Sequence, residues 1–474
     1  MMAAPTGFGQ LDAQALQRIE DLSLQVLEQV GVAVDDDLTR ASLAAHGARV
    51  EPTGRVHFDE QTLRALIGQA PADVTFGQRQ GDDRTVGAHA GGTCLWPGNA
   101  LYLVEDTERH VLRLDDFARL TRLTDRLDHV HAMVGISVAD FEPNLRDFCT
   151  LRLMAQHTGK HLRPVITSTH GIGAVMEMAQ VLRGSDKADA PVSFGFSVLS
   201  PLRWTQTATQ LSRDTSGQRW PFMFNAEPLA GGTSPVTLAG SLAQAHAETL
   251  SGIAIAQALE PGRPCIYNAG FAHTLDMRSA VALGGSPEVF LMAAAAAGLA
   301  RMWQLPCASW VGSEAMTEDA QAATEKSLGL TLHTQAGVNL IWGMGQLESQ
   351  MSISATQMVI DDEIAVQVER LQRGITVDDA HLAADILLSD PGTHGNLLAH
   401  DHTLTWFRHE LDDSTLANRI LRERWQELGK PDMRRRANEH IGDLLADEWV
   451  PCVSDDEDAE LLRIEEAWRR QLSG

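Results

Sequence analysis

Residues Pro221 to Gly270, which carry the clearest fold signal in the chain, read PFMFNAEPLAGGTSPVTLAGSLAQAHAETLSGIAIAQALEPGRPCIYNAG. Short apolar runs at its two ends predict strands at Pro221–Asn225 and Pro264–Asn268. Between them the alanine-rich segment Leu238–Leu259 predicts a helix, which ends before Pro261 and Gly262. A helix that joins two strands buried on both faces is typical of a parallel sheet.

The same alternation of apolar strands and helices, such as the predicted helix Pro287–Trp303, continues on both sides of this stretch. The strands predicted from it are Thr93–Trp96, Val130–Val138, Pro164–Thr169, Val192–Val198, Pro221–Asn225, Pro264–Asn268, Pro306–Val311 and Asn339–Gly343. Eight such units in about 260 residues match the size of a (β/α)8 barrel. The sequence therefore predicts an α/β fold of the TIM-barrel type, with a doubly wound parallel sheet as the alternative.

The two ends of the chain have a different pattern. Apolar residues in 11–31 follow a helical period that ends at Gly31, and residues 47–58 predict a hairpin around Pro52-Thr53-Gly54. The last stretch, after about residue 375, is helical and polar. We therefore expect an N-terminal lead-in packed on the barrel (1–85), a catalytic barrel (86–375) and a C-terminal helical extension (376–474).

Composition and charge exclude several classes of protein. The formal net charge is -25, which disfavours nucleic acid and anionic membranes as partners. The longest apolar run, Val289–Ala300, has 12 residues, and Met1–Gly9 lacks the pattern of a secretory signal. The 5 cysteines are far apart and form no CxxC motif, as expected of reduced thiols. These features predict a soluble cytoplasmic protein.

Residues at the carboxyl ends of the predicted strands are the first candidates for a site, because barrel enzymes place their active sites there. This rim carries aromatic and acidic residues but few basic ones. The aromatic candidates are Trp96, Tyr267, Phe271 and Trp310. Aromatic faces attract quaternary ammonium groups, so the rim favours a small cationic ligand. The alternative is that these rings only fill the core.

A metal site is not predicted. His394, His400 and His402 are close in sequence, but their spacing differs from that of known zinc motifs, and hydrogen-bonding histidines are the favoured interpretation. A P-loop, a GxGxxG turn and a GxSxG elbow are also missing from the sequence.

Several motifs resemble the trimethylamine methyltransferase family. They are Ala226–Gly270, DMRSAVALGGSPE (Asp276–Glu288), EDAQAATEKS (Glu318–Ser327), MVIDDEIA (Met358–Ala365) and GNLLAHDHT (Gly395–Thr403). They occur in the order found in the family and cover most of residues 11–425. The resemblance implies a (β/α)8 barrel that moves a methyl group from a methylated amine to the cobalt of a corrinoid (cobalamin) carried by a separate protein.

The chain contains only standard amino acids, so it resembles the branch without pyrrolysine, which includes glycine betaine:corrinoid methyltransferases. Loss of a methyl group from a quaternary ammonium leaves a neutral tertiary amine. Loss of a methyl group from neutral trimethylamine would instead expel an amide-like anion, unless the nitrogen is first protonated or captured. The resemblance therefore implies a quaternary substrate, glycine betaine or a related betaine, with a corrinoid-binding protein as partner and a possible homo-oligomer.

Under this hypothesis Glu227 or Glu314 balances the charge of the ammonium group, and the rim aromatics surround it. A betaine carboxylate needs hydrogen-bond donors, for which the candidates are His170, Asn225, Asn268 and backbone amides near Gly231-Gly232 and Gly312.

One segment departs from the family pattern. Many relatives have Asp-Ser-Lys where this chain has Glu314-Ala315-Met316, which removes a cation from the mouth of the site. Two alternatives therefore stay open: direct methyl transfer to another acceptor such as a folate, and a betaine-binding protein without catalysis. Nearby family-matching residues, among them Asp319, fit either catalysis or helix capping.

Overall fold

The computed structural model describes residues 10–184, 190–390, 396–411 and 414–472. Its centre is a series of strands, each followed by a helix. The strands are β1 (Cys94–Pro97), β2 (Ala132–Val134), β3 (His161–Arg163), β4 (Phe194–Ser197), β5 (Phe222–Asn225), β6 (Cys265–Gly270), β7 (Cys307–Trp310) and β8 (Leu340–Met344). The helices are α1 (Leu114–Arg126), α2 (Arg146–His157), α3 (Ile172–Arg183), α4 (Gln206–Asp214), α5 (Leu238–Leu259), α6 (Pro287–Met302), α7 (Ala320–Gln335) and α8 (Ala355–Arg373).

These strands form a curled parallel sheet. Six of them pair in the order β4-β5-β6-β7-β8-β1, and β2 pairs with β3. Between these two groups, the His131 amide donates to the Leu95 carbonyl at 2.8 Å, and Leu162 forms a parallel bridge with Val192. A doubly wound sheet reverses its strand order at a switch point, whereas here β8 returns to β1. The chain is therefore an α/β protein with a curled parallel sheet.

The prediction of a strand at Pro164–Thr169 is wrong, because β3 covers His161–Arg163 and the following residues form a loop. Pro164 has no amide hydrogen to donate to a neighbouring strand. The loop is held by Asp147, whose carboxylate accepts hydrogen bonds from the amides of Thr167 at 3.0 Å and Ser168 at 3.4 Å.

The pleat of the strands separates two cores. Alternate residues of each strand point to the inside of the curl or to the helices outside it. The inner core is closed at the amino-terminal end of the strands by a hairpin, Asp73–Phe76 with Arg84–Gly87. It contains Val74, Phe76, Val86, Cys94, Trp96, Ala132, Val134, Met223, Ile266, Phe271, Ala308, Trp310, Leu340 and Trp342.

The outer core lies between the sheet and the helices. Helix α5 is buried along nearly its whole length, and the N-terminal helix Ala13–Gln25 packs against it. The two helices are joined by the Ser23 hydroxyl, which donates to the Ala243 carbonyl at 2.8 Å. Other elements before β1 are the helices Val26–Val30, Asp37–Ala45 and Glu60–Ile67 and the strands Val32–Val34, Arg49–Val50 and Arg55–His57.

The loops between these elements contain short strands, at Tyr102–Glu105, Glu108–Val111, Arg203–Trp204, Leu229–Ala230, His273–Leu275, Ala282–Leu283, Gln346–Leu347 and Ser352–Ile353. Short helical turns lie at Glu348–Gln350 and Leu397–Ala399. The C-terminal helices are Asp379–Leu382, Ala384–Leu387, Asp401–Glu410, Arg422–Glu427, Met433–Leu444 and Asp455–Leu472. The last of them packs on α2 and α3. Within the described ranges, no helix combines the length and the apolar character that crossing a bilayer requires.

Candidate functional site

A cavity of about 350 Å³ lies at the carboxyl ends of the strands. Most of its lining comes from the last residue of a strand or from the loop that follows. The lining residues are Asn99, Arg163, Val165, Ile166, Gly195, Phe196, Ser197, Asn225, Glu227, Phe271, Trp310, Trp342 and Gln350. The structure thus brings Asn225, Glu227, Phe271 and Trp310, four of the residues proposed from the sequence, to one cavity.

One wall of this cavity is aromatic. The rings of Trp310 and Trp342 are stacked with centroids 5.8 Å apart, and Phe271 meets Trp310 edge to face at 4.7 Å. The Trp310 indole donates to Gln346 Oε1 at 2.6 Å, which fixes the orientation of its ring. Fixed ring faces attract a cation through their quadrupoles without any cost in side-chain ordering.

The polar wall is a chain of hydrogen bonds that ends at Glu227. Asn268 Nδ2 donates to Asn225 Oδ1 at 2.9 Å, and Asn225 Nδ2 lies 3.4 Å from the Ser197 hydroxyl. Ser197 donates in turn to Glu227 Oε1 at 2.6 Å. Burial raises the pKa of Glu227, and the bond from Ser197 offsets only part of this effect. The wall therefore presents one carboxyl group that a cation would stabilise in its ionised form.

Arg163, which was not among the residues proposed from the sequence, lines the same cavity. Its Nη1 donates to the Pro164 carbonyl at 2.5 Å and its Nη2 to the Gly195 carbonyl at 3.0 Å. The Nε atom is buried without a partner among the described residues. Burial lowers the pKa of Arg163 to about 9, and no described carboxylate opposes that effect. Its sequence signal was weak, because a single arginine in an apolar run is also compatible with a strand edge.

Glu314 and Gly312 lie beside the cavity and connect two loops. Glu314 Oε1 accepts hydrogen bonds from the amides of Gly284 at 2.6 Å and Gly285 at 3.0 Å. The Gly312 amide donates to the Gly284 carbonyl at 3.3 Å. Burial raises the pKa of Glu314. In this structure the Glu314 carboxylate braces the loop after β6 against the loop after β7.

Three other residues proposed from the sequence lie away from the cavity. Tyr267 alternates with Asn268 on β6, so it points outward, where its hydroxyl lies 2.7 Å from His246 Nδ1. Trp96 packs deeper in the inner core, with its ring 5.2 Å from that of Trp342. His170 is exposed in the loop after β3 and hydrogen-bonds the Ser168 hydroxyl at 2.7 Å.

A strained turn borders the cavity. Glu348, Ser349 and Gln350 have φ angles of 51°, 51° and 76°, in the left-handed region that non-glycine residues seldom adopt. Gln350 reaches the cavity and hydrogen-bonds His273. Burial lowers the pKa of His273 to about 4, so its imidazole is neutral near neutral pH. Consecutive strained residues are typical of sites where a side chain must be aimed, and the sequence carries no sign of this strain.

A cluster of residues of the types that bind metal ions lies away from the cavity, within the described part of the chain. Ligand atoms of His381, His409 and Glu410 lie within 4.8 Å of one another in the C-terminal region. Asp378 already bonds His381 Nδ1 at 2.7 Å, and Arg370 lies 3.7 Å from Glu410. Of the histidines considered from the sequence, His394 lies outside the described residues.

The fold and this cavity define a class: an α/β protein with an aromatic and charged pocket at the carboxyl ends of parallel strands, where enzymes of this architecture bind their substrates. Residues 5–471 match the family model described as trimethylamine methyltransferase, and the chain belongs to that family.

Similar proteins include members with different named substrates. A trimethylamine methyltransferase of Desulfitobacterium hafniense is 28% identical over 457 residues, which cover 94% of this chain and 91% of that protein. A glycine betaine methyltransferase of the same species is 27% identical over 464 residues, 95% of each chain. The solved monomethylamine methyltransferase of Methanosarcina barkeri aligns with a TM-score of 0.51 at 13% identity, over 98% of this chain and 94% of that one. At this identity the last comparison shows a shared fold.

Proposed function

We propose that this protein is a methyltransferase that moves a methyl group from a quaternary amine, glycine betaine or a related betaine, to the cobalt of a corrinoid carried by a separate protein. The proposal rests on family membership and on one observation: the aromatic wall of Trp310, Trp342 and Phe271 borders the same cavity as the Glu227 carboxyl. Aromatic faces and one carboxylate are the groups that recognise a quaternary ammonium, which cannot donate hydrogen bonds.

The residues of this chain bind and orient the methyl donor. The carbon–nitrogen bond breaks, its electron pair stays on nitrogen, and the product is a neutral tertiary amine. The leaving nitrogen therefore requires no proton from the protein. Glu227 and the stacked rings stabilise the positive charge before transfer and hold the methyl donor against the aromatic wall.

The corrinoid supplies a nucleophilic cobalt that accepts the methyl group. A corrinoid macrocycle is far larger than a cavity of about 350 Å³, so only the amine fits inside. This size relation supports a cofactor presented at the mouth by a partner protein rather than one enclosed by this chain.

The proposal includes three further points that come from the sequence. The curled sheet closes into a complete barrel, which the contacts of β2 and β3 with the strands beside them support. The lead-in, barrel and extension divide near residues 85 and 375. The protein acts in the cytoplasm, which the free thiols of all 5 cysteines support. Self-association stays a prediction.

The test is methyl transfer from defined donors to a reduced corrinoid protein. We expect glycine betaine to convert the cobalt(I) spectrum to that of methyl-cobalt with release of dimethylglycine, whereas trimethylamine gives no change. Omitting the corrinoid protein, with a reduced folate in its place, is the matched control. Methyl transfer to the folate, or betaine binding without transfer to the corrinoid, would contradict the proposal.

A further inference from the structure

Arg163 is a buried cation that lacks an opposite charge. Its exposed fraction is 4%, and its two hydrogen-bond acceptors are the neutral carbonyls of Pro164 and Gly195. Removing a guanidinium from water is costly unless an anion or a full set of hydrogen bonds replaces the solvent. The Nε atom of Arg163 is buried, and no described residue accepts a hydrogen bond from it. The hydrogen bonds of the guanidinium are therefore incomplete.

The backbone around Arg163 is built to admit this side chain. A Cβ at Gly195 would lie 2.4 Å from the Met223 carbonyl oxygen and 2.7 Å from Arg163 Nη2, so a larger residue would press on both the neighbouring strand and the guanidinium. The guanidinium carbon lies 5.8 Å from the centroid of Trp342, on the inner side of the sheet. Arg163 is therefore held inside the curl, beside the aromatic wall.

The cavity has a positive and a negative group that do not pair with each other. Glu227 receives its hydrogen bond from Ser197, and its pKa reflects burial and that bond alone. A bare cation such as choline would leave Arg163 without an anion. A zwitterion with a cationic head and a carboxylate would offer each group an opposite charge.

We propose that Arg163 is a specificity-determining residue, whose guanidinium binds the carboxylate of a zwitterionic methyl donor while the aromatic wall and Glu227 receive its quaternary ammonium. The ammonium end of this assignment rests on the proposed function. The carboxylate end rests on Arg163 alone. A planar guanidinium with free donors matches a carboxylate better than an ammonium group does.

The test compares two ligands with the same trimethylammonium head, glycine betaine and choline, by calorimetric titration of the full-length protein. We expect the wild type to prefer glycine betaine. Arg163→Gln should weaken glycine betaine between about 10-fold and 100-fold and leave choline within about 3-fold, so that the preference disappears. Arg163→Lys keeps the positive charge and should retain part of the preference for glycine betaine. This variant tests the same proposal if Arg163→Gln does not fold.

Arg263 provides the matched control. It is as deeply buried as Arg163, but its guanidinium donates to the carbonyls of Trp220, Ser212 and Thr215 outside the cavity. Arg263→Gln should lower the unfolding temperature and retain the preference for glycine betaine. If Arg163 only braced the loops, its variants would behave in the same way as Arg263→Gln, and the proposal would be overturned.

Failure of this inference and failure of the proposed function give different results. A betaine preference that depends on Arg163, with no methyl transfer to the corrinoid protein, supports the inference and overturns the function. Methyl transfer from glycine betaine and choline at equal rates, unchanged by Arg163→Lys, supports the function and overturns the inference. Binding of neither ligand by the wild type overturns the inference as well.

Discussion

The cavity and the helix layer outside the sheet both bury ionisable side chains, but Glu20 in the helix layer has an ionisable side-chain partner, which Arg163 and Glu227 in the cavity lack among the described residues. Glu20 on the N-terminal helix lies 2.5 Å from His246 Nε2 and accepts a hydrogen bond from Trp303 Nε1 at 3.1 Å. These partners lower the pKa of Glu20 against the opposing effect of its burial. In the cavity, Arg163 and Glu227 have no described partner of opposite charge. Paired buried charges stabilise the fold, whereas unpaired ones beside a cavity mark a place for a ligand.

Breaking the contact between Glu20 and His246 in the helix layer should lower the stability of the protein most. His246→Leu leaves the Glu20 carboxylate and the Tyr267 hydroxyl without their main partner. Removing one member of a buried pair costs about 3–5 kcal/mol, which urea unfolding measures. His89→Leu, on an exposed histidine, should change stability by less than about 0.5 kcal/mol. A loss below about 1 kcal/mol for His246→Leu would show that the pairing contributes little.

Glu227→Gln removes the charge of the one carboxyl group among the described residues that line the cavity. Loss of the carboxylate should weaken glycine betaine by about 1–2 kcal/mol in calorimetric titration, because the ammonium loses its counter-charge. A carboxyl whose pKa is raised on folding destabilises the fold at neutral pH, and this cost falls in acid. The variant should therefore be at least as stable as the wild type at neutral pH, with the difference shrinking as the pH falls.

The control for Glu227 is Glu108→Gln, on an exposed strand of the loop after β1. It should leave both affinity and stability within experimental error. If Glu227→Gln destabilised the protein at neutral pH without weakening the ligand, Glu227 would belong with the structural acids of the helix layer.

Substitution of Asp319 tests whether this carboxylate has a structural role or a catalytic one. It caps α7, with Oδ1 accepting from the amides of Gln321 at 2.8 Å and Ala322 at 3.2 Å. Asp319→Ala should cost about 1 kcal/mol of stability in thermal or urea unfolding. Asp319→Asn retains the cap and should be nearly neutral. Methyl transfer lost in the asparagine variant, with stability intact, would instead assign Asp319 to catalysis.

The smallest effect concerns His129, which lies near the amino-terminal ends of the strands. Its Nδ1 is 3.4 Å from Asp362 and its Nε2 is 3.3 Å from Glu369, and these carboxylates raise its pKa. A raised histidine pKa stabilises the fold below about pH 6.5, and this contribution is lost as the pH rises through the folded-state value. His129→Gln should cost less than about 1 kcal/mol in urea unfolding at low pH and nothing at high pH. In an Asp362→Asn background most of this pH dependence should vanish; if it persisted, the charge of Asp362 would not be its source.

The class of fold and the family could both be predicted from the amino-acid sequence. The predicted helix Leu238–Leu259 is found with the same bounds, because its cap signals and apolar pattern are local. The strands β4 to β8 also lie within two residues of their predicted ends. Glu227, Phe271 and Trp310 were proposed from strand-end position, and the structure brings them to one cavity.

Which residues face the cavity and which charges are paired depends on how distant parts of the chain pack together. Tyr267 and Asn268 are neighbours in sequence, but the pleat sends one to the helix layer and the other to the inner side. Arg163 was missed because β3 ends one residue before the segment predicted as strand. The partners of Glu20 come from residues 226 and 283 positions away, and local sequence patterns carry no information on contacts at that separation. The hydrophobic periodicity of a sequence indicates which residues are buried. The pairing of charges depends on distances between residues that are far apart in sequence, and these distances are fixed only when the chain folds.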